Sequence, residues 1–159
     1  MKELLELLEK NNKLTPKQLS VILDKDENEI AALIKKFEET GVIIANNALI
    51  NWDKVDCERV TALIEVKVSP QMGHGFDSIA RKIYKYPQVK SCYLMSGGFD
   101  LTVVVEGTDL REVAFFVNEK LATIDCVLST ATHFILKKYK DREVIVEEAL
   151  SDDREAIIL

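Results

Sequence analysis

Histidine, cysteine and tryptophan are scarce in this 159-residue chain, which holds two, three and one of them. The cysteines, Cys57, Cys92 and Cys126, are odd in number and widely spaced. That excludes a disulfide framework and the close ligand spacing of a zinc site, and it fits a reducing cytosol. His74 and His133 lie far apart in sequence and offer too few ligands for a metal centre. No Ser-His-Asp or Cys-His constellation has usable spacing, so no catalytic residue, metal or cofactor is expected, and the chain does not read as an enzyme. Long apolar runs are missing as well: nothing approaches the roughly 18–20 residues of a membrane span. The opening Met1-Lys2-Glu3-Leu4-Leu5-Glu6 is charged throughout, unlike a secretory signal. A cytoplasmic protein without a membrane partner is expected. What remains is an ordinary globular composition, 47% hydrophobic and 30% charged. Its length allows one medium domain or two small ones. The net charge of −6 excludes a polyanion-binding surface spread over the whole chain but leaves room for a small basic patch.

Residues 1–51 read as three helices and a hairpin. Leu4, Leu5, Leu7 and Leu8 mark the first helix, about Lys2 to Lys10. The second opens at Thr15-Pro16-Lys17-Gln18, where Thr15 caps, Pro16 suits the first helical position and Gln18 completes a capping box. A third opens at Asp26 with Glu29 as a second capping-box pair; Ile30, Leu33, Ile34 and Phe37 follow at helical spacing, and Gly41 stops it. Val42 to Ala45 and Ala48 to Asn51 read as two strands joined at Asn46-Asn47. Three short helices and a hairpin outline either a winged helix-turn-helix or a generic helical interaction domain.

Residues 52–59 form a charged linker that holds the only tryptophan, Trp52. Over 60–140 strand and helix patterns alternate as β-α-β-β-α-β: Val60 to Val68, a helix with Phe76, Ile79, Ala80 and Ile83, strands Val89 to Ser96 and Phe99 to Glu106, a helix capped by Asp109 with Glu112, and a final strand Val127 to Lys138. This order is the ferredoxin-like one, an antiparallel sheet with both helices on one face. Thr61, Leu63, Glu65 and Lys67 share the second face, a mixed surface suited to a sheet-to-sheet dimer. His74 is expected in a solvated loop before the first of these helices. Residues 141–159 read as an acidic tail ending in Ile157-Ile158-Leu159, either frayed or docked on a neighbouring subunit.

Ser96-Gly97-Gly98-Phe99-Asp100 joins two β-rich runs, and Gly97-Gly98 suits a tight two-residue turn. Backbone bared by glycine beside the carboxylate of Asp100 suits a small zwitterion: the acid takes an ammonium, and glycine N–H groups take a carboxylate. A plain solvated hairpin tip is the alternative.

Three short motifs in this order resemble the leucine- and asparagine-responsive regulators, the Lrp/AsnC family. They are Phe37-Glu38-Glu39-Thr40-Gly41-Val42-Ile43 at a helix end, Tyr86-Pro87-Gln88-Val89 before a strand, and Gly97-Gly98-Phe99-Asp100 at the hairpin. The resemblance spans nearly the whole chain. It implies an α+β fold, an N-terminal winged helix-turn-helix followed by a ferredoxin-like βαββαβ effector-binding domain. It also implies amino-acid sensing at Ser96, Gly97, Gly98 and Asp100, with Thr132 near the same pocket. The assembly implied is a homodimer, with an octamer as the larger form, and double-stranded DNA read by the third helix.

The DNA-reading residues at those positions are Asn28 and Glu29, which can face adenine and cytosine edges, with Lys17, Lys35 and Lys36 as phosphate contacts. Over residues 1–55 there are eight lysines, no arginine and ten carboxylates. Two readings follow: an amino-acid-responsive DNA-binding transcriptional regulator, or a non-DNA-binding small-molecule sensor or interaction module with a degenerate helix-turn-helix.

Overall fold

The computed structural model describes residues 1–69 and 75–146; His74 and the expected tail beyond 146 lie outside the described residues. The described chain divides into two units, 1–50 and 51 onward.

Helices α1 (Lys2–Lys10), α2 (Pro16–Leu23) and α3 (Glu27–Glu39) make the first unit. Leu4, Leu19, Ile30 and Phe37 are its buried centre, with Leu14, Leu33, Ile34 and Ile43 packed around them. The α2 capping box forms as expected: Gln18 N–H donates to Thr15 Oγ1 at 3.3 Å and Thr15 N–H to Gln18 Oε1 at 2.9 Å. At α3 the outcome differs. Asp26 accepts from the N–H groups of Asn28 and Glu29 at 2.9 and 3.2 Å, but the Glu29 carboxylate turns to Lys25 Nζ at 3.2 Å, leaving half a capping box. Gly41, at φ +72°, ends α3 in a Schellman closure, with Gly41 N–H on Glu38 O and Val42 N–H on Phe37 O.

The expected wing hairpin carries no strand ladder: 42–51 holds no strand. The closure of α3 supplies the reason. Val42 and Ile43 both donate their N–H to Phe37 O, at 2.8 and 3.0 Å, so the first donors of the would-be ladder are already committed.

In the second unit the elements are β1 (Val60–Val68), α4 (Phe76–Ile83), β2 (Val89–Leu94), β3 (Leu101–Gly107), α5 (Leu110–Phe116, continued by a π turn Val117–Leu121) and β4 (Val127–Phe134). The sheet order is β2-β3-β1-β4, antiparallel throughout. Ala62, Ile64, Val66 and Val68 on β1 and Leu101, Val103 and Val105 on β3 face α4 and α5, burying Ile79, Ile83, Val113, Phe116 and Leu121. Burial of this order is worth about 1.5–3 kcal/mol per large aliphatic side chain, and it fixes the register, because a one-residue slip would expose the whole row. Asp109 caps α5 by accepting Glu112 N–H at 2.7 Å, while the Glu112 carboxylate reaches past it to Thr108, accepting its N–H at 2.6 Å and its hydroxyl at 2.8 Å.

Several boundaries move: β2 stops at Leu94 instead of Ser96, and β3 starts at Leu101 instead of Phe99. The final strand was expected to run to Lys138; it ends at Phe134, one residue before the last β1 bond, Ile135 N–H to Thr61 O. Beyond it, β5 (Lys140–Asp141) and β6 (Val144–Ile145) pair as a small hairpin where an acidic tail was expected to begin. Its turn places Arg142 and Glu143 at positive φ, +44° and +67°. Such a turn ordinarily carries Asn-Gly, and no such signal stands in the sequence.

Candidate functional site

The β2–β3 connection is longer than the two-residue turn expected. Met95 N–H donates to Asp100 O at 2.8 Å, leaving Ser96, Gly97, Gly98 and Phe99 as a four-residue loop. Ser96, Gly97 and Gly98 are exposed, and a Cβ on either glycine would meet nothing within 4 Å. Packing therefore does not demand glycine there, although the φ of +158° at Gly97 is one that side-chain-bearing residues rarely adopt. The bare backbone faces open space beside Asp100, which is half-buried.

Asp100 is tied into the sheet. Its N–H donates to Val66 O at 3.1 Å, and its Oδ2 accepts the N–H of Val68 at 2.8 Å. One carboxylate oxygen thus holds the end of β1, and among the described residues no donor is seen on the second. Tyr93, Leu94 and Met95 stand exposed beside the loop, a run of three apolar side chains that sequence reasoning passed over as strand interior. Their signal was the break in alternation.

Thr132 is not brought to this loop within one chain. It pairs with Ile64 on β4, so β1 stands between it and Asp100 on the β3 side. Two strand spacings alone separate them by about 10 Å. Thr132 is exposed at the sheet edge, on the face that carries the helices.

The other expected group sits in the first unit. Lys17, Asn28, Glu29, Lys35 and Lys36 are all exposed, and all but Lys17 lie on α3. Glu29 pairs with Lys25 and Lys35 with Glu39 (3.8 Å), whereas Lys17 and Lys36 make no ion pair among the described residues. Spacing from buried Ile30 and Phe37 puts Asn28, Ala32 and Lys35 on the outward side of α3. The Asp26 carboxylate fills the N–H cradle at the start of α3, the place where a helix otherwise receives a phosphate.

No three His, Cys, Asp or Glu side chains gather into a metal-holding group among the described residues. Burial pushes the Cys92 thiol up, so at neutral pH it is the uncharged form. A surface groove of about 470 Å³ is lined by Lys82, Lys85, Tyr86, Thr123, Ile124 and Asp125, none of them an expected site residue. No helix among the described residues is long and apolar enough to cross a membrane.

Residues 61–145 match the family described as the Lrp/AsnC ligand binding domain. The chain belongs to the Lrp/AsnC family of transcriptional regulators. It is 46% identical over 153 residues to the Bacillus subtilis protein named as the uncharacterized HTH-type transcriptional regulator YugG, covering 96% of this chain and 92% of that one. Against the HTH-type transcriptional regulator FL11 of Pyrococcus furiosus the identity is 28%, over 88% of this chain and 89% of the relative. Among solved structures, a Neisseria meningitidis transcriptional regulator in complex with L-Met superposes with a TM-score of 0.68 at 25% identity, covering 87% and 88% of the two chains. Escherichia coli AsnC gives a TM-score of 0.68 at 19% identity over 91% and 94%, a likeness of fold. An Lrp/AsnC domain occupying 61–145 places the β2–β3 loop and the sheet inside the family's ligand-binding module.

Proposed function

We propose that this Lrp/AsnC protein is an amino-acid-responsive, DNA-binding regulator whose effector sits on the Ser96–Asp100 loop. The supporting observation is the open space over Gly97 and Gly98 beside a carboxylate with one oxygen that meets no donor among the described residues. The effector's ammonium bonds that Asp100 oxygen, its carboxylate takes loop N–H groups, and Tyr93, Leu94 and Met95 flank its side chain. A related regulator solved with L-Met supports the ligand class. Thr132 joins the site from a second copy, since β1 keeps it from the loop of its own chain.

The open face of the sheet supports pairing with that copy. Leu63 and Val104 lie among Glu65, Lys67 and His133, with Glu65 Oε1 3.3 Å from His133 Nε2. A homodimer through this face, and octamers built from it, present α3 in symmetric pairs to DNA in the cytoplasm. There Asn28 and Glu29 read base edges, and Lys17, Lys35 and Lys36 contact phosphate.

A second reading, a sensor without DNA binding, is favoured by one feature: Asp26 occupies the α3 N-terminus in a segment that has no arginine. Two measurements decide. A thermal-shift screen of the twenty amino acids should find one that adds about 2.7 kcal/mol at 100 times its dissociation constant. Selection from genomic DNA at low and at physiological salt should enrich fragments; enrichment at neither salt leaves the sensor alone.

A further inference from the structure

The stretch expected as a linker, 52–59, falls in the second unit and is not a free chain. Asn51 Oδ1 accepts Asp53 N–H at 3.2 Å and starts a 3₁₀ turn, Trp52–Lys54, and Asn51 Nδ2 donates to Val146 O at 3.5 Å. Val55 N–H then bonds Trp52 O and Cys57 N–H bonds Val55 O. At the far end the Arg59 guanidinium lies 4.3 Å over the Trp52 ring and also bonds Glu106 Oε2 on β3. Lys90 Nζ stands 3.9 Å from the same oxygen. The Glu106 side chain is only 14% exposed and that of Arg59 29%, so solvent screens the pair far less than an ordinary surface bridge. Arg suits the position because its flat cation can stack on an indole and donate in-plane at once.

We propose that Arg59, gripped between Trp52 and Glu106, is a clasp that sets the reach of the tether between the DNA-reading unit and the sheet. Ile43 is the last residue packed into the first unit's core, and Asn51 is the first tied to the second unit. With the clasp shut, the chain between these two anchors is residues 44–50, spanning at most about 25 Å when fully extended. Once the clasp opens and the Asn51–Val146 bond lets go as well, the unanchored chain runs to the start of β1 at Val60, and the limit rises to about 55 Å. The difference is close to one turn of duplex DNA, about 34 Å. A shut clasp therefore restricts which half-site spacings a pair of readers accepts. That consequence rests on the DNA-binding reading above; the clasp itself does not.

Trp52 is the only tryptophan, so its emission reports the clasp directly. In the full chain, Glu106→Gln and Arg59→Gln should each raise acrylamide quenching of Trp52 about twofold. They should also speed hydrogen exchange at the Val55 and Cys57 amides about tenfold, the change expected when a charge-assisted bond is lost. Exchange at Val103 and Val105 should stay at the wild-type rate, and the maximum dimension from X-ray scattering should grow. Arg59→Lys, which keeps the charge and loses the flat stack, should fall between. Unchanged quenching and exchange in both glutamine variants overturns the clasp. So does an equal loss of protection at Val103 and Val105, which would make the pair a support of the sheet. Neither result touches the amino-acid screen or the DNA selection, so the two readings fail separately.

Discussion

Asp100 and Val68 are joined across the end of the sheet, the carboxylate of one accepting the main-chain N–H of the other at 2.8 Å. The same acid is the proposed anchor for an ammonium ligand, so its two duties can be separated by substitution. Asp100→Ala strands the Val68 N–H and should cost about 1–2 kcal/mol in chemical denaturation. Asp100→Asn keeps an acceptor oxygen and should cost less than half of that. Both should abolish the amino-acid thermal shift; retention of the shift in the Asn variant would remove the charge from the site.

Gly41 offers a test of backbone conformation free of packing. Its φ is +72°, and a Cβ there meets nothing within 4 Å. Gly41→Ala should destabilise the first unit by about 1–2 kcal/mol through left-handed strain alone. Amide exchange at Val42 and Ile43, whose bonds to Phe37 close the helix, should rise with it.

Glu112 carries a pH dependence with a definite sign. The Thr108 N–H and then its hydroxyl hold the Glu112 carboxyl below its usual range, outweighing its slight desolvation and the nearby Asp109 charge. A lowered folded pKa means that the contribution is complete above the unfolded value, about 4.3, and vanishes as pH falls through the folded one. Urea unfolding of the wild type and Glu112→Gln should therefore differ by a constant amount above about pH 5.5 and converge as the pH drops below about 4.

Asp26→Ser separates capping from charge at α3. Serine is as good a cap, so stability should change by less than about 0.5 kcal/mol. Removing the negative charge from the helix start should tighten DNA binding at low salt. Lys36→Gln should instead lower the slope of log affinity against log salt by about 0.9. Equal affinities for wild type and both variants would take α3 out of the interface.

Element type was legible wherever a side chain carried its own signal. Thr15-Pro16-Lys17-Gln18 announced α2, and Gly41 marked the end of α3. Alternation along Val60–Val68 gave β1 with its buried row. The misses share a physical cause, main-chain partners that side-chain pattern does not encode. Val42 to Ile44 is β-branched and strand-like, yet two of its amides close a helix. Gly97-Gly98 read as a two-residue turn, but the closing bond falls outside it at Met95 and Asp100. Glu29 was paired with Asp26 by spacing, and Lys25, four residues before it, took the carboxylate. In the candidate site the loop was visible and the Asp100–Val68 bond was not, because its donor is an anonymous amide 32 positions away.

The strand order β2-β3-β1-β4 has a consequence for synthesis. β1 is central, flanked by β3 and by β4, and β4 begins only at Val127. While the ribosome makes the intervening stretch, β1 and β3 can already pair, but the far edge of β1 stays bare. Nascent chains stalled before Val127 therefore present an apolar, unpaired edge to one another. This protein is most prone to tangle with its siblings in the interval just before its last long strand emerges.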